Sequence, residues 1–251
     1  MMDNLKIKIP KTIHYCWFGR NPLPSLAIKC IASWKKYLPD YEIKEWNEDN
    51  FDVNVIPYTR EAYAAKKYAF VSDYARFKIL YEEGGLYFDT DVEVIKPFDD
   101  IIARGAFMGC ERDANDMNIA SVAPGLGLGV TSGHYLYKEI LDLYSTLHFS
   151  YPEGLLNLKT VVEYTTDLLC KHNLKNIKGI QECAGILIYP SEYFCPISVE
   201  DGKLRITSHT VAIHHYAQSW QSPIRKYGRK IALFFGGKSL KNILKRRLCL
   251  K

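Results

Sequence analysis

Asp89-Thr90-Asp91 places two carboxylates one residue apart, directly behind the apolar run Leu86-Tyr87-Phe88. If the pair continues a strand, positions i and i+2 point the same way. Two carboxylates held on one face repel, and an apolar sheet does not tolerate them unpaired. A hard divalent cation resolves the conflict, because Mg²⁺ or Mn²⁺ takes a few carboxylate oxygens and completes its shell with phosphate oxygens and water. An Asp-x-Asp pair is common by chance. What singles this one out is its place after a strand and behind the helix-stopping Gly84-Gly85; a solvated turn is the plain alternative. Upstream, Asp73 and Arg76 are three residues apart and share a helix face. They form either a surface ion pair, worth little, or a hydroxyl-accepting carboxylate beside a guanidinium that meets phosphate or sugar. Spacing leaves both readings open.

Short apolar strands alternate with helical periodicity, which is the pattern of an α/β layer fold. Thr12 to Phe18 reads as a strand with Ile13, Tyr15 and Trp17 on one face, and His14 falls off that face as a structural residue. Pro22 and Pro24 open a helix whose core stripe is Leu26, Cys30, Trp34 and Leu38. Tyr41 to Trp46 is a second strand. The spacing Phe70, Tyr74, Phe77, Leu80 predicts a helix over 70–83, with Ser72 and Asp73 in its first turn and Gly84-Gly85 as its stop. Strands follow at Leu86–Phe88 and Val92–Ile95, then at Phe107–Cys110 and Leu126–Val130. Helices near His134–Leu147 and Leu156–His172 precede strands near Ile186–Tyr189 and Thr210–His214, which close the body. Open α/β sheets bind ligands beyond the carboxyl ends of their strands, where the acid pair falls.

The chain has 251 residues, 47% of them hydrophobic, 24% charged and 13% aromatic, which excludes disordered and low-complexity classes. No apolar run approaches the ~18 residues of a spanning helix, and residues 1–11 lack the apolar block of a secretion signal. Seven scattered cysteines without a Cys-x-x-Cys pair argue against a disulfide framework or structural zinc. They read as small core residues in a reducing compartment, the cytoplasm. The net charge of +5 hides an asymmetry, −7 over residues 1–201 against +12 over residues 202–251. An acidic body with a basic end is unlike the basic groove of a nucleic-acid enzyme, so no nucleic-acid partner is expected. Beyond Trp220 the chain is basic and amphipathic: Leu240, Ile243, Leu244 and Leu248 oppose Lys241, Lys245 and Arg247. Such a helix either lies on an anionic membrane, giving a peripheral location on its inner face, or packs on the body. The expected division is a catalytic domain over 1–220 and a basic helical tail over 221–251.

Three segments together resemble a known family: Ile9-Pro10-Lys11-Thr12-Ile13-His14-Tyr15-Cys16-Trp17-Phe18-Gly19, the Ser72-Asp73-x-x-Arg76 helix, and Gly84-Gly85-x-Tyr87-x-Asp89-x-Asp91. The pattern is similar to glycosyltransferase family 32, the sugar-binding region containing a DXD motif, common among capsule and lipopolysaccharide enzymes of bacteria. It is distantly similar to the catalytic domains of large clostridial glucosylating toxins. The resemblance is strong over residues 9–98, fainter over 126–169, and returns at Ala212-Ile213-His214-His215-Tyr216-Ala217-x-Ser219-Trp220. It implies a GT-A-type fold with a mixed, mostly parallel central sheet flanked by helices, and a retaining hexosyltransferase using Mn²⁺ or Mg²⁺. The implied donor is a nucleotide sugar, UDP-linked before GDP-linked. The implied acceptor is a surface glycan such as a capsule, lipopolysaccharide or lipid-linked oligosaccharide intermediate. By position, Trp17 would stack on the base, with Phe18 and Tyr87 in the same donor site. Asp73 and Arg76 would hold the donor sugar, Asp89 the ribose and the metal, and Asp91 the metal directly. His214 or His215, with Ser219 and Trp220, would fold over the diphosphate, and which histidine reaches the metal is open. No further carboxylate marks itself as a nucleophile, so attack from the face of the departing diphosphate stands beside the covalent route.

Gly125-Leu126-Gly127-Leu128-Gly129 is not a dinucleotide fingerprint, because Val130 stands where the third glycine belongs; a bend and strand beside the sugar pocket fits it better. No Gly-Lys-Ser/Thr phosphate loop is present. The remaining alternatives are a metal-dependent phosphodiesterase, which also uses paired aspartates, and a non-catalytic sugar-binding module, which has no use for a cation.

Overall fold

The structure, a computed structural model, describes residues 8–116, 118–198 and 201–217. Ser219, Trp220 and the basic tail lie outside them. The chain runs β1 (Thr12–Cys16), α1 (Ser25–Tyr37), β2 (Glu42–Trp46), α2 (Pro57–Ala64), α3 (Tyr68–Glu83), β3 (Gly85–Tyr87) and β4 (Val92–Val94). It continues through α4 (Asp99–Ile102), β5 (Phe107–Arg112), β6 (Ser121–Val122), β7 (Leu128–Val130), α5 (Tyr135–Ser145) and α6 (Val161–Lys171). The last described elements are β8 (Gln181–Cys183), β9 (Ile186–Tyr189), α7 (Ser191–Phe194) and β10 (Ala212–His214).

The main sheet has the order β2-β1-β3-β7-β5-β9-β8, with β6 paired to β5. β1 is parallel to β2 and β3, and β5 is parallel to β9, while β7 runs antiparallel between β3 and β5. Five of the seven strands on that path therefore point one way, the mixed, mostly parallel sheet flanked by helices expected of a GT-A-type fold. One face is covered by α2, α3, α5 and α6, through residues such as Tyr58, Phe77, Tyr137 and Leu169. The other is covered by α1, α4 and α7 through Cys30, Trp34, Ile101 and Phe194. The stripe of α1 behaves as its spacing predicts, and the Trp34 indole N–H also donates to Val92 O at 2.7 Å, which holds β4 in place. No helix among the described residues is long and apolar enough to cross a membrane. Six described cysteines are free, and all except Cys170 are buried.

Several elements differ from expectation. The first strand ends at Cys16, so Trp17 lies just past it. β10 does not close the main sheet but pairs antiparallel with β4 in a separate two-stranded ribbon. α3 begins at Tyr68, which moves Ser72 and Asp73 out of its first turn; Asp73 serves a buried ion pair rather than a cap. Residues 156–160 are not helical, because Thr160 and Glu163 form a reciprocal capping box that starts α6 at Val161. The short α2 and polar β8 carried too little apolar periodicity to be read.

His14 is fully buried, as a structural role requires. The Trp46 indole N–H donates to its Nδ1 at 3.0 Å, so Nε2 carries the ring proton and meets Gly84 O at 3.0 Å. Burial lowers its pKa, keeping it neutral. Gly84 and Gly85, with φ of +68° and +101°, turn the chain sharply from α3 into β3.

Candidate active site

Four segments meet at the carboxyl edge of β3: the turn after it, the middle of α3, the loop before β7, and the end of β10. The strand stops at Tyr87, so Asp89 and Asp91 sit in a turn closed by Val92 N–H donating to Asp89 O at 3.0 Å. The strand geometry expected of the pair is therefore wrong, although its consequence holds. Asp89, Asp91 and His214 each offer one ligand atom, all within 4.8 Å of one another. β10 supplies His214 because His214 is in register with Val92, one residue beyond Asp91.

Asp91 is gripped from several sides. His214 Nε2 lies 3.2 Å from Oδ1, the Ala217 N–H donates to Oδ2 at 2.7 Å, and the His215 N–H donates to its carbonyl at 3.0 Å. Burial would raise the Asp91 carboxyl, but the His214 charge and these hydrogen bonds outweigh it and hold it below the usual range. For His214, burial alone would lower the pKa, yet Asp91 carries it up to about 10. The neighbouring histidine behaves differently. His215 Nε2 turns to Glu93 at 2.8 Å, and the Lys29 ammonium donates to the same carboxylate oxygen at 2.9 Å. Of the two histidines, His214 faces the acid pair.

Arg76 forms the floor. Its Nε donates to Ser72 O at 3.2 Å, one terminal nitrogen to Pro124 O at 3.1 Å, and the other to Asp73 at 2.8 Å with Asp89 at 3.3 Å. Its side chain is only 4% exposed, so the Asp73–Arg76 pair is no surface ion pair and little of the guanidinium remains for a ligand. Burial disfavours the Arg76 charge, and Asp89, Tyr87 and Asp73 more than restore it. Burial pushes Asp73 up to about 7 against the pull of Arg76. Tyr87 lies beneath as well: its ring is 4.9 Å from the guanidinium carbon and its hydroxyl donates to Asp89 at 3.1 Å. Both residues brace Asp89 rather than line open surface.

Gly125 completes the wall. A Cβ there would come within 1.9 Å of Asp89 Oδ2, and its carbonyl accepts the Asp89 N–H at 3.0 Å. The glycine-rich run is thus a close approach to the acid pair leading into β7. Trp17 is half-buried beyond β1, its indole N–H donating to Asn21 O at 2.6 Å. Phe18 turns inward against Phe51 with ring centroids 5.6 Å apart, so it belongs to the core and offers a base no face.

The residues fit a divalent cation on their own chemistry. Two carboxylates and an imidazole converge, and His214 Nδ1 is buried without a nitrogen or oxygen partner, leaving the imidazole unanchored by the usual acceptor. Sequence reasoning did not find the backbone N–H of Ala217, nor the neighbours of His214, because these depend on a turn no local pattern announces.

The family described as glycosyltransferase sugar-binding region containing DXD motif matches residues 24–108, which include both aspartates, Asp73 and Arg76. Residues 24–108 are similar to this sugar-binding region. Inositol phosphoceramide mannosyltransferase 1 of Schizosaccharomyces pombe is 28% identical over 112 residues, covering 40% of this chain and 34% of that protein. Subversion of eukaryotic traffic protein A of Legionella pneumophila is 27% identical over 129 residues, covering 40% of this chain and 20% of that protein. The solved PaToxG glycosyltransferase is similar at 22% identity and a TM-score of 0.47, over 65% of this chain and 69% of that one. The chain spans about a third or less of the length of these two curated relatives.

Proposed function

We propose that this chain is a metal-dependent glycosyltransferase that moves a sugar from a nucleotide sugar to a glycan acceptor. The observation that carries this reading is the convergence of Asp89, Asp91 and His214 at the carboxyl edge of β3, with both aspartates in the stretch similar to the sugar-binding region. Mn²⁺ suits the set better than Mg²⁺, because an imidazole joins the carboxylates. When bound, such a cation supplies Lewis-acid stabilisation to the negative charge that grows on a diphosphate leaving group. The protein groups do the positioning. Arg76 and Tyr87 fix Asp89, and Ala217 and His214 fix Asp91. Asp73 stands next to Arg76 at the site's floor, where its carboxylate would accept a hydrogen bond from a sugar hydroxyl. Trp17 offers a flat face for a base at the end of β1.

UDP is the favoured nucleotide and a lipid-linked or surface glycan the favoured acceptor. The catalytic body over 1–220, a membrane-binding tail over 221–251 and a location on the inner face of the cytoplasmic membrane complete the proposal. Retention is part of it, with the nucleophile unassigned.

The test is a screen of nucleotide-sugar hydrolysis with Mn²⁺, with Mg²⁺ and with EDTA, repeated for Asp91→Asn. Cation-dependent hydrolysis that falls on the order of a hundredfold or more in the variant supports the proposal; turnover indifferent to chelator and to Asp91 overturns it. A sugar-binding module would give no turnover, and its affinity would ignore UDP.

A further inference from the structure

We infer that Cys195 and Tyr216 are positioning residues for His214, clamping its imidazole so that Nε2 stays on the Asp91 side. The inference rests on the reading of Asp89, Asp91 and His214 as a cation site.

A histidine that ligates a metal through one ring nitrogen normally gives the other N–H to a carboxylate, carbonyl or water, which fixes both tautomer and ring angle. His214 has no such partner: its Nδ1 is buried and meets no nitrogen or oxygen. Around it stand two other groups. The Tyr216 ring lies with its centroid 4.3 Å from that of His214, and the Cys195 thiol contacts the imidazole. These two are themselves joined, Cys195 Sγ lying 3.0 Å from the Tyr216 hydroxyl. Sulfur is a weak acceptor, so the imidazole is held by a soft contact and a packed ring in place of a strong hydrogen bond.

The clamp is anchored on both sides. Cys195 is 2% exposed and its N–H donates to Ser191 O at 2.7 Å, closing α7. The Val211 N–H donates to Tyr193 O at 2.9 Å, tying the start of β10 to the same helix. Tyr216 adopts φ of +49°, a left-handed conformation uncommon for a bulky residue. Strain of this kind persists only where the surroundings impose it. Here the twist has two effects at once: it lays the ring on His214 and brings the next N–H, that of Ala217, onto Asp91 Oδ2. One turn of chain therefore holds two of the three candidate ligands, and Cys195 holds that turn.

The experiment titrates MnCl₂ into the full chain and follows the loss of the free-Mn²⁺ electron paramagnetic resonance signal. It compares wild type, Cys195→Ala, Cys195→Ser, Tyr216→Phe and the exposed-site control Cys170→Ala, each checked for folding by circular dichroism. Cys195→Ala is expected to weaken Mn²⁺ binding about tenfold or more, the usual effect of losing a ligand's outer partner. Cys195→Ser should recover most of it, because a hydroxyl accepts the Nδ1 proton, and Cys170→Ala should match wild type. If Cys195→Ala does not fold, Tyr216→Phe decides alone, with an expected loss of several-fold. Folded Cys195→Ala and Tyr216→Phe proteins that bind Mn²⁺ as tightly as wild type overturn the inference while leaving the cation site standing. Wild type that takes up no Mn²⁺, or takes it up undiminished in Asp91→Asn, overturns the cation site and this inference with it.

Discussion

Gly125 lies so close to Asp89 that the smallest possible side chain would come within 1.9 Å of the carboxylate. The backbone carbonyl of Gly125 also accepts the Asp89 N–H at 3.0 Å, so neither residue can retreat without breaking the turn. Gly125→Ala should therefore displace Asp89. Mn²⁺ affinity, read by titration, should fall on the order of tenfold or more, with a melting temperature lowered much less than by a core truncation. Unchanged affinity would mean that Asp89 does not need its observed position.

Arg76 is a matter of stability before chemistry. Arg76→Ala leaves the buried Asp73, and the partly exposed Asp89 beside it, without their counter-charge, a defect that costs about 3–5 kcal/mol. Denaturant melts should show a loss of that order. Arg76→Lys should recover only part of it, since an ammonium cannot reach Ser72 O, Pro124 O and two carboxylates in one planar fork.

Trp17 separates binding from folding. It is half-buried beyond the end of β1, while Phe18 beside it is core. Trp17→Ala should raise the Michaelis constant of the donor several-fold, base stacking being worth about 1–3 kcal/mol, with a smaller loss of stability. Phe18→Ala should do the reverse. Equal effects of Trp17→Ala on both quantities would assign that ring to the core as well.

His14 sets an acid limit. Its pKa is lowered from 6.5 in the folded protein by burial, so below pH 6.5 the unfolded chain takes up a proton that the native state refuses. Stability from this residue is present above pH 6.5 and is lost as the pH falls below it. His14→Asn keeps an acceptor for the Trp46 N–H but cannot titrate there. Its urea midpoint should be lower at pH 7 and fall less steeply than wild type between pH 6.5 and 5.

Much of this arrangement was legible in residue types. The stripe Leu26, Cys30, Trp34, Leu38 and the stop at Gly84-Gly85 are local signals, and the structure places α1 and the end of α3 accordingly. The acid pair was visible as a charge conflict, although the conflict is set up by a turn and not by a strand. Long-range pairing was hidden. Nothing near Thr210–His214 says that it pairs with β4 rather than with the main sheet, because a three-residue apolar strand fits either edge. The choice between His214 and His215 hung on that pairing, which sends one ring to Asp91 and the other to Glu93. Arg76 looked like a ligand-binding group for a related reason: spacing shows which residues share a helix face, and not how deeply the face is buried.

The ribbon of β4 and β10 also has a bearing on when the protein becomes competent. Chains fold from the N-terminus as they leave the ribosome, at roughly 5–20 residues per second. Asp89 and Asp91 emerge more than a hundred residues before His214, so a growing polypeptide holds two of the candidate donors before it gains the third. A polypeptide that has not yet reached His214 therefore lacks one of the three candidate ligands, and the set is complete only once the two distant stretches have found each other.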